Sequence, residues 1–440
     1  MKRCIRAILL GINLIGVTQA QTIPPETHQT LTLTEAWQKA EQYNKTLQEQ
    51  NLRIQISHEK VQDTKSERLP EIGASTQYAR ITNLPIYERG ILNTPTQYPV
   101  LHNMFQLKTE AYFNLYEGKK LQTKIKNEET EHERVEIQKE ESVSQVKLRV
   151  AAVYLDLQRS LIFKDLTLKN IEEAEKRLTD IRELHKNGVV IRSDLLRAEL
   201  QLSRQKMALR EIENSIAITS QKLNLMIGLP ETTTIQPVAL VEGDSLSRSY
   251  DSYLDEAFDH AHLLRISEKE QELTGLRLKE LQADNKPKVG LFAEYQYGYP
   301  QITFFPYTGA LYGFGMGGLK ASYSLSSLYH NKHKIQAAAI DVQRQEVITS
   351  DRQDQVKQAV KEAYVRYGES LQRIQVAELS IKQATENYRI VKNTYFNQLA
   401  LLTDLIDADT QLLQSQYDLA AARLTARLQY YQLLHTTGNL

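Results

Sequence analysis

Of the 440 residues only one is cysteine, Cys4, and only one is tryptophan. Cys4 falls in a segment that reads as a leader. Lys2, Arg3 and Arg6 precede the apolar run Ala7–Val17, and Thr18-Gln19-Ala20 follows. This is the pattern of a secretory signal peptide, residues 1–20, cleaved after Ala20. A mature chain beginning at residue 21 would then have no disulfide, no thiol nucleophile and no Cys-ligated zinc. A lipoprotein would need a cysteine at the cleavage site, and none is there. The leader's apolar run is too short to cross a bilayer as a helix, and no later run is longer. A membrane-embedded form of this chain would have to use strands. Charge of one sign is also lacking. Lys+Arg and Asp+Glu both number 54, so no basic field invites nucleic acid.

Catalytic patterns are lacking too. His58-Glu59 and His132-Glu133 have no second histidine one turn on, as a zinc helix requires. The glycine-rich stretch Tyr312–Lys320 does not end in the Lys-Ser/Thr of a P-loop and runs into a strand, not a helix. Its glycines fit a crowded strand better. The charged run Lys126–Glu141 reads as a solvated helix face. The sequence is therefore read as non-enzymatic, with no cofactor and no bound metal.

Glycine and proline are absent where it matters most. Lys119–Asn187 runs 69 residues without either, Gly188 interrupts, and Val189–Ile227 is clean again. Tyr329–Asn397 contains only Gly368, and Leu399–Thr437 is clean. Helices this long lie far outside the globular norm. At 1.5 Å per residue the longer ones reach roughly 100 Å and the return helices roughly 60 Å. Ile171, Ala174, Leu178 and Ile181 step by 3, 4 and 3, as do Ile381, Ala384, Tyr388 and Val391. That spacing suits coiled-coil packing.

The chain is also written twice. Gly188–Leu202 and Gln398–Leu412 align at an offset of 210, with Asp194 on Asp404, Leu195 on Leu405 and Ala198 on Ala408. Tyr154 meets Tyr364 and Gly228 meets Gly438 at the same offset. Pro70 and Gly73 match Pro287 and Gly290 at 217, and Leu33, Ala36 and Ala40 match Leu254, Ala257 and Ala261 at 221. The division expected is a first repeat over 21–230, a linker over 231–250 and a second repeat over 251–440. Each repeat opens with a helix, Leu33–Leu69 in the first. Two strands follow, then a long helical hairpin with its tip near 188 or 398.

Strands are expected at about 71–82, 103–117, 288–299 and 312–326. Val289, Leu291, Ala293, Tyr295, Tyr297 and Tyr299 alternate with Gly290, Glu294, Gln296 and Gly298, with Phe292 out of pattern. Phe105 to Leu115 and Leu319 to Leu325 alternate in the same way. One apolar and one polar face over about ten residues suits a strand between lipid and a wet lumen; a half-buried soluble sheet is the alternative. The 23 tyrosines against 9 phenylalanines, several at strand ends, favour the membrane through an interfacial aromatic belt. Four strands cannot close a barrel, so their edges must be satisfied by other chains.

In this arrangement the chain resembles the TolC-like outer-membrane efflux proteins. The resemblance rests on "LTLTEAWQKAEQYN", "RLPEIGASTQY", "LHKNGVVIRSDLLRAELQL" and their second-half counterparts, and it covers essentially the whole mature chain. It implies a mainly α fold with membrane β: a homotrimer whose twelve strands form one outer-membrane β-barrel, continued by a periplasmic α-helical barrel. It further implies an exit duct served by a periplasmic adaptor and an inner-membrane pump, in contact with outer-membrane lipid. A periplasmic adaptor, or a structural coiled-coil protein of the envelope that does not transport, is the alternative. Adaptors are expected to dock on the tips through Gly188, Val189, Val190, Asp194, Leu195, Leu399 and Leu401. Asp404 and Asp407 share a helix face and would make a cation-binding ring at a gate. Tyr395, Asp404 and Asp407 match the family's gating turn, whereas Gln398 and Ala400 replace its usual Gly and Arg.

Overall fold

The computed structural model describes residues 28–238, 248–301 and 306–440. The expected signal peptide and residues 239–247 of the expected linker lie outside the described residues. Strand β1 (His28–Leu31) leads into helix α1 (Leu33–Tyr43). Thr32 opens α1 with a capping box: its hydroxyl accepts from the Glu35 N–H, and the Glu35 carboxylate accepts from the Thr32 N–H at 2.8 Å.

The single opening helix expected over Leu33–Leu69 is broken. α1 stops at Tyr43, and α2 (Lys45–Ser66) restarts after Asn44, which leaves helical geometry at ψ 126°. The Asn44 side chain caps α2 by accepting from the Thr46 N–H at 3.0 Å. The second half repeats the break. α5 (Tyr250–His260) and α6 (His262–Ala283) flank Ala261 at ψ 117°. The paired helices have equal lengths, 11 and 22 residues. The offset is thus 217 along both opening helices, and Ala36 and Ala40 correspond to Tyr253 and Ala257. The 221 alignment from sequence is a four-residue slip, about one helical turn, which returns to the same face.

Strands β2 (Glu71–Arg80) and β5 (Asn103–Glu117) follow α2, with a small hairpin of β3 (Leu84–Ile86) and β4 (Thr96–Tyr98) in the loop between them. Helices α3 (Lys120–Lys186) and α4 (Arg192–Ile227) make the first long hairpin. Part of the expected linker is strand β6 (Thr234–Pro237), which pairs in parallel with β1. Strands β7 (Lys288–Tyr299) and β8 (Tyr312–Ser322), a short helix α7 (Ser327–His330), and the second long hairpin of α8 (Lys332–Phe396) and α9 (Leu402–Thr437) complete the chain. β2 and β8 end earlier than the alternation suggested.

The core sits where the β1–β6 pair, α1 and the long helices meet. Tyr154 of α3 is fully buried there. Its hydroxyl donates to the Leu31 carbonyl at 2.8 Å and lies 3.1 Å from the Val238 carbonyl. Burial pushes its pKa up to about 12, so it stays a donor. Among the described residues no helix is long and apolar enough to cross a membrane.

Candidate functional site

The two helical tips are built alike from different residues. Gly188 ends α3 at φ +74°; the Val189 N–H reaches back to the Leu184 carbonyl at 2.9 Å and the Gly188 N–H to His185 at 3.0 Å. At the second tip Gln398 takes φ +62°, with Leu399 bonded to Thr394 at 2.9 Å and Gln398 to Tyr395 at 2.8 Å. Both are left-handed helix endings closed by a six-to-one bond, and the second is made without glycine.

One apolar cluster joins the tips: Leu178, Ile181, Ala198, Tyr395, Leu402 and Leu405. Val190 and Leu195 pack against it and are half-buried. Val189 (46% exposed), Leu399 (77%) and Leu401 (69%) do project outward. Ile191, not singled out in the sequence, is 67% exposed beside them; its place in the turn was the available signal. Gly188 is exposed and Asp194 half-buried. The Tyr395 hydroxyl is buried without a hydrogen-bond partner among the described residues. Its pKa is raised by burial, then by the nearby Asp194 charge.

Asp404 and Asp407 are both exposed, one turn apart on α9. The Asp404 carboxylate accepts from the Leu401 N–H at 3.1 Å, so it also caps the helix start. Asp407 borders a polar groove of about 670 Å³ between α8 and α9, with Gln383, Asn387 and Thr410.

Sequence reasoning missed a buried charge pair above the tips. Arg177 of α3 and Asp409 of α9 meet at 2.8 Å, with side chains 9% and 3% exposed. Asn170 donates to the other Asp409 oxygen at 3.1 Å, and Gln205 of α4 bonds Asn170. Burial raises the Asp409 pKa, against the lowering pull of the Arg177 guanidinium. Arg177 and Asp409 lie 232 residues apart, and no local pattern joins them. Among the described residues no group of three or more His, Cys, Asp or Glu could hold a metal.

At the other end the four long strands form one antiparallel sheet, β2-β5-β7-β8. Its register puts Phe105, Leu107, Thr109, Ala111 and Phe113 opposite Tyr299, Tyr297, Tyr295, Ala293 and Leu291. The other face carries Gln106, Lys108, Glu110, Glu294 and Gln296. Lys108 sits 2.8 Å from Glu110 and 3.1 Å from Glu294, and Gln106 bonds Gln296 at 2.8 Å. Exposure alternates along β7: Leu291, Tyr295 and Tyr297 are exposed, while Phe292, Glu294 and Gln296 are half-buried. Along β7 the polar face is thus the more enclosed one. Phe292, out of pattern in sequence, belongs to it; its ring lies over Gly318, as the ring of Tyr112 lies over Gly290. A bulge between Asn114 and Tyr116 shifts the alternation at the end of β5. Among the described residues the outer edges of β2 and β8 carry no partner strand.

No protein-family model matches this chain, and no curated protein matches it. Solved structures share its fold at low identity. The outer-membrane channel OprN aligns with a TM-score of 0.77 at 14% identity, over 93% of this chain and 90% of that one. VceC, an outer membrane protein of Vibrio cholerae, gives 0.75 at 17% identity, over 92% and 96%. The Campylobacter jejuni CmeC outer membrane channel gives 0.74 at 12% identity, over 92% and 85%. The resemblance drawn from the sequence holds at the level of the fold, along nearly the whole chain.

Proposed function

We propose that this chain is an outer-membrane efflux protein of the TolC-like class, the passive exit duct of a tripartite export system. One observation carries the reading: an amphipathic four-stranded sheet whose two edges are unpaired among the described residues, continuous with helices of 67 and 65 residues that end in paired tips. Unpaired edges cannot stand in hydrocarbon. β2 and β8 run antiparallel to each other, since each step across the sheet reverses direction. Under cyclic symmetry β8 of one copy therefore meets β2 of the next as an antiparallel pair. Three copies supply twelve strands, enough to close a barrel with a polar lumen.

The helices support the same assembly. Exposed Leu200, Met207, Ile218 and Leu225 of α4 step by 7, 11 and 7, returning to one face each time. Val347, Val365, Val376 and Leu379 form a comparable stripe on α8. Neighbouring copies would cover these stripes. The tips, with Val189, Ile191, Leu399 and Leu401 outward, would receive a periplasmic adaptor that couples the duct to an inner-membrane pump. Asp404 and Asp407, repeated threefold, would ring the narrow end with carboxylates and draw cations.

No enzymatic role is proposed. The test is cross-linking in native membranes followed by conductance in a planar bilayer. Trimers that conduct are expected. A monodisperse monomer that conducts, or extraction from the envelope without detergent, would refute the reading.

A further inference from the structure

The two halves join each elbow to its return helix differently. In the first half the elbow residue Asn44 caps α2 and also donates to the Met226 carbonyl at 3.4 Å. In the second half the elbow residue is Ala261, which offers no side-chain cap. Gly438, at φ +81° after α9, lies so close to the His260 carbonyl that no Cβ would fit there. A pair of histidines flanks this contact. His262 opens α6 and is 9% exposed. His435 stands three residues before Gly438, and its Nδ1 lies 2.7 Å from the Ser144 hydroxyl of α3. The corresponding first-half residues are Lys45 and Leu225, so the pair belongs to one half only.

A cavity of about 560 Å³ reaches His262, lined among others by Glu136, Lys139, Glu140, His260 and Arg265. From α3, Glu140 favours a charged His262 but is engaged by Arg265 of α6 at 2.6 Å. Arg265 itself opposes that charge. Glu136 and Lys139 add one charge of each sign, and His260 of α5 is a second imidazole in the wall. Burial holds both His262 and His435 below the ordinary histidine range, and the charge of His262 further opposes that of His435.

We propose that the α5–α6 elbow and the last turn of α9 form a proton-operated joint, closed while His262 and His435 are neutral and loosened when both are charged. Regulation of the duct by this joint rests on the channel reading above. Because folding lowers both pKa values, their contribution to stability is whole above about pH 6.5, the unfolded value. It is lost as pH falls through the folded values.

The experiment is hydrogen exchange read by mass spectrometry on the full chain in detergent, at pH 7.5 and 5.5, corrected for intrinsic rates. Amides of Gln432–Thr437 and His262–Ser267 should lose protection by up to about tenfold per histidine, because pH 5.5 lies about one unit below the unfolded value. Amides of Tyr43–Leu47 and Leu223–Ile227 should not. A folded H262L/H435L variant should lose the difference. Histidine C2-hydrogen exchange on the unmodified chain should show both imidazoles titrating below 6.5, whether or not the variant folds. Equal loosening at both elbows, a pH response surviving in the double variant, or imidazoles titrating at the ordinary value would each overturn the proposal. Conductance on the same samples judges the channel reading separately.

Discussion

Replacing Arg177 by Met, or Asp409 by Leu, strands a charge in the seam between α3 and α9. The partners meet at 2.8 Å and are 9% and 3% exposed, so solvent screens the survivor little. Breaking such a pair from one side costs about 3–5 kcal/mol. Removing both partners leaves no buried charge, only the Asn170 donor that had served Asp409, at about 1–3 kcal/mol. The singles together reach about 6–10 kcal/mol, so the coupling in a double-mutant cycle should be at least about 3 kcal/mol. The readout is amide exchange in residues 174–181 of α3 and 405–412 of α9, in the assembled protein. Each 1.4 kcal/mol lost there accelerates exchange about tenfold, so single variants should open about 100-fold or more and the double variant far less. The pH behaviour follows from burial. With its folded pKa raised, Asp409 contributes stability below about pH 3.8 that is lost as pH rises through the folded value. At neutral pH Arg177 offsets the resulting penalty. Singles that accelerate exchange less than tenfold, or a double variant equal to their sum, would refute this account.

The tips give a prediction of opposite signs. A Cβ at Gly188 meets no atom within 4 Å, so Gly188→Ala should cost only the left-handed conformation, about 1 kcal/mol. Gln398→Gly should stabilise its turn by about 0.5 kcal/mol, relief of about 1–2 less about 0.4–1 for a looser unfolded chain; melting curves of both variants check the signs. In bilayers, Asp404→Ala with Asp407→Ala should lower cation selectivity and abolish block by trivalent cations from the tip side. The same change removes the carboxylate that accepts from the Leu401 N–H, so local exchange should rise by about 0.5–2 kcal/mol equivalent. Tyr154→Phe should destabilise the junction by about 1–3 kcal/mol, because the Leu31 carbonyl loses its buried tyrosine donor, seen as a lower midpoint in thermal unfolding.

Much of this architecture is local and therefore legible in one dimension. A 3.6-residue apolar period without glycine or proline specifies a long helix by itself. Alternation of Leu291, Ala293 and Tyr295 with Glu294 and Gln296 specifies a two-faced strand. Asp404 and Asp407 declare a shared helix face by their spacing alone. Other features needed the folded chain. Nothing at Asn44 or Ala261 forbids a helix, so the elbows follow from packing against the ends of α4 and α9. A four-residue slip preserves a helix face, so the offset of α5 on α1 was settled by where the two elbows fall and not by matching letters. The β1–β6 pair and the Arg177–Asp409 pair join segments roughly 200 residues apart or more, where separation erases any local signal. Which sheet face is enclosed depends on curvature, a property of four strands together. Whether Asp404 and Asp407 face a shared axis depends on the neighbouring copies, because one chain has no axis for them to face.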